Sequence, residues 1–123
     1  AAPALKKRRL GDICGSTARR RGGMGAQVPL GANDWVRIRL AGRGRVRLAE
    51  IDTSYFIGNS PGSAALTALS DTGEWITLLP RTDLLPDTRH RFLVTEDTPV
   101  HEARLDIYPD GGLARLRLYG ELA

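Results

Sequence analysis

The 123-residue sequence predicts an all-β fold, specifically an antiparallel β-sandwich. From Asp34 onward, apolar and polar residues alternate in short runs, the pattern of half-buried strands. Clusters of Gly, Pro, Asp and Asn separate these runs, and about seven of them at this spacing suit a sandwich or barrel. Only Ser63 to Leu69 admits a helix, and strand is an equal reading there.

Val36, Ile38 and Leu40 alternate with Arg37 and Arg39, giving the first clear strand. Val46 and Leu48 alternate with Arg45 and Arg47, and a slip of phase before Ile51 places a bulge near Ala49 and Glu50. Ile76 with Leu78, and Phe92 with Val94, mark two more strands. Leu105 with Ile107, then Ala114, Leu116 and Leu118, mark the last two. Asp110-Gly111 between them is a hairpin signal, because glycine tolerates the positive φ of tight turns. Whether the loop is Asp110-Gly111 or Pro109 through Gly112, the predicted register is the same. It sets Tyr108 opposite Leu113, Asp106 opposite Arg115, and Arg104 opposite Arg117. Leu105, Ile107, Ala114, Leu116 and Leu118 then face the core. Arg104, Asp106, Arg115 and Arg117 share the other face, with surplus positive charge.

Residues 1–31 show no sustained period and read as an irregular basic lead-in, leaving 32–123 as the folded domain. The net charge of +4 is unevenly spread. Of the 18 basic and 14 acidic residues, seven basic ones and Asp12 lie within residues 1–27. The 11 basic and 13 acidic residues left over give the body a balance of −2. A nucleic-acid-binding domain places its positive stripe on the folded surface, so Lys6 to Arg9 read as a solvated tail. No apolar run approaches the ~20 residues that span a bilayer, and no secretory signal is visible. Cys14 has no partner for an internal disulfide, and a cytoplasmic protein is expected. Neither nucleic acid nor membrane is expected as a partner.

Three segments carry a family resemblance. Arg104-Leu105-Asp106-Ile107-Tyr108-Pro109-Asp110-Gly111-Gly112-Leu113-Ala114-Arg115-Leu116-Arg117-Leu118-Tyr119-Gly120 is one. Asn33-Asp34-Trp35-Val36 with Ile38-Arg39-Leu40 is another, and Asp52-Thr53-Ser54-Tyr55-Phe56 with Gly58-Asn59-Ser60-Pro61 is the third. Together they resemble the repeat of the allantoicases, over about residues 33–120. Trp75, Leu79-Pro80, Pro86-Asp87 and His90-Arg91-Phe92 fall between them in the family's order. The sequence departs from the pattern where His101-Glu102 replaces a Thr-His pair. It departs again where Arg19-Arg20-Arg21 stands without the tryptophan of the family's arginine-rich opening. The family carries two repeats per chain, and this sequence resembles a single one, of the C-terminal type.

The resemblance implies a jelly-roll, galactose-binding-like sandwich and hydrolysis of allantoate to ureidoglycolate and urea. No cofactor or zinc-type metal ligation is expected, binding of a harder cation by carboxylates stays open, and a second repeat or a homo-oligomer is the expected partner. Such a site needs cations for the substrate carboxylate, partners for two ureido arms, and an acid–base group. Arg104, Arg115 and Arg117 are candidates for the carboxylate, since a guanidinium fork matches it bidentately. Asn59 and Asp110 are candidates for the ureido groups. Asp52 and His90 are the candidate catalytic pair, His90 because its ordinary pKa of ~6.5 suits proton transfer. Asp52 and Asp110 serve equally as turn residues, and His90 as a strand histidine. A noncatalytic binding module and a polyanion-binding tail at residues 6–21 are the competing readings, since fold alone does not give function. No zinc spacing, P-loop or nucleophile elbow occurs.

Overall fold

The computed structural model describes residues 8–14 (backbone), 33–58, 60–109, 111 and 113–123. Seven strands make up its regular structure: β1 (Arg8–Cys14), β2 (Asp34–Asp52), β3 (Ser63–Ser70), β4 (Trp75–Asp83), β5 (Arg89–Leu93), β6 (Val100–Tyr108) and β7 (Arg115–Leu122). Every pairing is antiparallel. Ser63–Ser70 is therefore a strand, paired on both sides by β4 and β6. Among the described residues no helix is long and apolar enough to cross a membrane.

The long β2 organises the molecule. Its first half pairs with β6, from Asp34↔Ile107 to Arg39↔Glu102. Its second half pairs with β7, from Gly44↔Leu122 to Asp52↔Arg115, and with β5 on the other side. A register break between Arg39 and Gly44 turns the strand over. Gly42 sits in that corner, where an added Cβ would come within 3.0 Å of the Leu122 side chain. One sheet, in the order β4-β3-β6-β2, thus folds onto a second, in the order β1-β7-β2-β5. We call them the first and second sheets. The extra residue of β2 against β7 lies between Val46 and Leu48, slightly ahead of the predicted bulge at Ala49–Glu50.

Val36, Leu66, Ala103, Leu105 and Ile107 from the first sheet meet Val46, Ala49, Ile51, Leu116 and Leu118 from the second, all buried. Alternation by two puts these side chains inward and their neighbours outward.

Two expectations are corrected. Arg8–Cys14, inside the segment expected to be irregular, is an edge strand on β7, from Arg8↔Gly120 to Cys14↔Arg115. Its run of two arginines, leucine, glycine and aspartate hides the alternation. Residues 1–7 and 15–32 lie outside the described set. The terminal hairpin does not form either. β6 and β7 are not neighbours, because the two halves of β2 take the places beside them. The 109–114 connection crosses between sheets, anchored by Asp34 N–H on the Pro109 carbonyl (3.3 Å) and Ala114 N–H on the Asp52 carbonyl (2.8 Å). Gly111 does adopt a positive φ, 135°. Arg104 accordingly faces Arg37 and Thr67 across the sheet, whereas Arg117 faces Glu50 and Asp12.

Candidate functional site

The strand directions bring three connections to one end of the sandwich: 53–62, 84–88 and 109–114. Backbone hydrogen bonds tie them together, among them Leu84 N–H to Gly62 O, Gly62 N–H to Tyr108 O and Thr53 N–H to Thr88 O, at 2.8–2.9 Å. Cys14 and Asn33, which flank residues 15–32, lie at the same end, since their strands pair there with Arg115 and Ile107 respectively.

At this end, on the outer face of the second sheet, two rows of charge run across the strands. Asp52 has Arg115 of β7 on one side and Arg89 of β5 on the other. One step back, Glu50 lies between Arg117 and Arg91 in the same way. The rows exist because Glu50-Ile51-Asp52, Arg89-His90-Arg91 and Arg115-Leu116-Arg117 each alternate by two and lie in register. Four guanidinium groups therefore lie in register with two carboxylates, and Arg117 has Asp12 of β1 on its other side.

Glu50 is 2% exposed, and a buried carboxylate needs partners to offset its lost hydration. It has them, in Arg117 Nη1 at 3.1 Å and Arg91 Nε at 3.1 Å. Arg89 is held more loosely, its Nε 3.9 Å from Glu50 and 3.8 Å from Asp52, and its side chain is 55% exposed. Asp52 also accepts hydrogen bonds from the Ser54 hydroxyl and from the Ser54 N–H (2.9 Å). Burial pushes the Asp52 carboxyl up, but the Ser54 bonds and the charges of Arg89 and Arg115 outweigh it and hold the group below its ordinary value. It is a carboxylate at neutral pH, fitted to accept hydrogen bonds.

His90 lies on the other side of the same sheet, because its strand partner is the inward-facing Ile51. Its ring stacks on Phe92 at a centroid distance of 6.0 Å. Leu85 N–H donates to His90 Nε2 at 2.9 Å, which leaves the proton on Nδ1, 3.0 Å from the Ile51 carbonyl. Both ring nitrogens are thus committed to the backbone, and the histidine holds the 84–88 connection against β2. Asp52 and His90 do not converge.

Arg104 is on the outer face of the first sheet, a sandwich thickness away from Arg115 and Arg117. Its guanidinium lies 4.4 Å from the Trp35 ring and donates to Asp106, with Nη2–Oδ1 2.8 Å. Asn33 Nδ2 completes Asp106 at 2.8 Å. The three predicted carboxylate ligands are therefore split, with Arg115 and Arg117 on one face and Arg104 on another. Asn59 and Asp110 lie outside the described residues. Glu50, Ser54, Arg89 and Arg91 were missed. The Arg-His-Arg and Glu-Ile-Asp alternations were readable, but the β2–β5 pairing that aligns them was not. Among the described residues no group of three or more His, Cys, Asp and Glu is arranged to hold a metal ion.

The family model for the allantoicase repeat matches residues 13–123. A probable allantoicase of Nocardia farcinica is 60% identical over 116 residues, covering 94% of this chain and 32% of that protein. The chain therefore spans about a third of that relative's length. The allantoicase structure from Saccharomyces cerevisiae superposes with a TM-score of 0.71 at 25% identity, over 93% of this chain and 40% of that one. The C-terminal domain of a chitobiase from Bacteroides fragilis superposes with a TM-score of 0.61 at 12% identity, over 95% of each chain, and shares the fold.

Proposed function

The chain belongs to the allantoicase repeat family, and from that premise we propose that it takes part in hydrolysing allantoate and water to ureidoglycolate and urea. The observation that carries the reading is the row Arg89–Asp52–Arg115 at the loop end. A substrate with one carboxylate and two ureido arms asks for cations beside a hydrogen-bond acceptor. This row supplies both within one strand spacing.

In this reading Arg89 and Arg115 hold the carboxylate, and Arg89 is the freer of the two to move onto it. Asp52, kept ionised by Ser54 and its flanking arginines, accepts from a ureido N–H or takes a proton from the attacking water. Its lowered basicity limits the second role. Glu50 fixes Arg117 and Arg91 behind the row. His90 acts by positioning the 84–88 connection. Asn59 and Asp110 remain assigned to the ureido arms on the resemblance alone, and Arg104 is left out of the carboxylate set. No cofactor enters the reading. A second repeat or a second copy is part of it, as is a cytoplasmic location, which the lone cysteine suits.

The test is urea release from allantoate by the purified chain, run beside a full-length relative. Release above the uncatalysed rate supports an active repeat. Release only by the relative assigns the chemistry to a site that more than one repeat completes. Allantoate binding without release from either protein would leave a binding module.

A further inference from the structure

Among the described residues, Tyr55 and Asp87 are the two non-glycine residues at positive φ, 70° and 48°. L-residues avoid this region, and such conformations persist where the surroundings over-determine them, often at ligand sites. The two are bonded to each other. Tyr55 N–H donates to Asp87 Oδ1 at 2.7 Å, and Asp87 N–H donates to the Phe56 carbonyl at 3.0 Å. Beneath them Thr53, fully buried, donates its hydroxyl to the Leu85 carbonyl (2.7 Å) and accepts from Thr88 N–H (3.0 Å). The 53–62 and 84–88 connections are thus locked as one unit. What this lock presents is the side chain of Tyr55, 92% exposed. It belongs to the segment that leaves Asp52, directly after the Ser54 that binds Asp52.

We propose that Tyr55 is a ligand-contacting platform on which a planar ureido group stacks, held in place by the clasp with Asp87, and that it sets specificity for ureido-bearing acids. The physical basis is simple. A ureido group is flat and polarised, and it loses little by lying on an aromatic face while its edge hydrogen-bonds. A platform works only if it does not have to be ordered on binding, and the paired positive-φ residues fix its backbone beforehand. Ile57 and Leu85, 71% and 64% exposed, are apolar side chains on the same two connections. The proposal rests on the function proposed above for the neighbouring row, but it makes its own prediction about ligand shape.

The experiment is isothermal titration of the intact chain with allantoate, with ureidoacetate (one ureido arm and a carboxylate) and with glycolate (no ureido arm). The proteins are wild type, Tyr55→Phe, Tyr55→Ala and Asp87→Ala, each checked by thermal melting. Tyr55→Ala should weaken both ureido acids about three- to tenfold, the scale of one aromatic stacking contact, and leave glycolate unchanged. Tyr55→Phe should bind like wild type, because the ring and not the hydroxyl is used. Asp87→Ala should mimic Tyr55→Ala on ureido acids. Wild-type affinity for the ureido acids in Tyr55→Ala would overturn the platform, and a fall in self-association of that variant by sedimentation would reassign the ring to a protein contact. Equal losses on glycolate would also overturn it, as a general loop effect. Ureidoacetate binding that depends on Tyr55, without urea release from allantoate by either this chain or the full-length relative, would sink the proposed reaction and leave the platform standing. Binding of neither ureido acid by wild type would overturn both.

Discussion

Arginine decorates both outer faces of this sandwich and is used differently on each. On the first sheet it lies over aromatic rings: Arg104 over Trp35 at 4.4 Å, Arg37 over Trp75 at 5.0 Å and Arg81 over Tyr108 at 3.9 Å. Two of the three are ion-paired as well, Arg37 with Glu102 at 2.6 Å and Arg104 with Asp106, which is shared with Asn33. On the second sheet the arginines stand in cross-strand register with Glu50 and Asp52, whose carboxylates are nearly buried. Stacked guanidinium groups cover apolar surface and stay charged toward water. The guanidinium groups of the second sheet pair with the buried Glu50 and, together with Ser54, hold the Asp52 carboxyl below its ordinary value against the cost of burial. The first arrangement covers aromatic surface, while the second pairs charges across strands, and the proposed anion site lies on the second.

The contrast predicts unequal costs of breaking each face. Glu50→Gln removes the acid that neutralises Arg117, 17% exposed, and Arg91, 61% exposed. Most of the cost comes from the more buried partner, so we expect a loss of about 3 kcal/mol in chemical denaturation. An unchanged midpoint would mean that the two rows do not depend on Glu50.

Asp52→Asn should cost less, about 1.5 kcal/mol at neutral pH, the worth of a hydrogen bond to a charged group. Its pH dependence has a definite sign. The folded-state pKa of Asp52 is lowered from its ordinary 3.8, so its contribution is fully present above that value and is lost as pH falls through the folded pKa. Melting curves of wild type and variant should therefore converge on acidification below ~4. A gap that stays constant from neutral pH to strong acid would show that the stabilisation is not electrostatic.

Trp35→Leu keeps an apolar cover under Arg104 and removes the ring. The expected loss is about 0.5–1 kcal/mol, the range for an exposed cation–π contact. A cost as large as that of Glu50→Gln would place the first face on the same energetic footing as the second and erase the contrast.

The strands were legible because alternation by two survives in this sequence almost throughout. Val36 and Leu40, Leu105 and Ile107, and Leu116 and Leu118 are all buried as the pattern assigns, with Ile38 partly buried. Partners were not legible. Asp110-Gly111 looks like a hairpin turn, and Gly111 does take a positive φ, but a turn signal does not say which sheet the next strand joins. That depends on β2 folding over at Arg39–Gly44, a tertiary event. Hence Arg115 and Arg117 do share one outer face, as the alternation predicts, while Arg104, grouped with them, lies on the other sheet. His90 was visible as the titratable residue of its segment, but its two backbone hydrogen bonds have no mark in the sequence. Arg8–Cys14 was missed because its partner, β7, supplies the order that its own residues lack.

The most direct test asks which face holds the anion. Allantoate is titrated into Arg89→Met and Arg104→Met beside wild type, with melts to confirm folding. Methionine keeps much of the length of each side chain and deletes the charge. Loss of a hydrogen bond to a charged group is worth about 1.5–3 kcal/mol. Arg89→Met should accordingly bind roughly ten- to a hundredfold more weakly than wild type, and Arg104→Met should match wild type. A large loss in Arg104→Met with none in Arg89→Met would contradict the assignment and move the anion site to the first sheet.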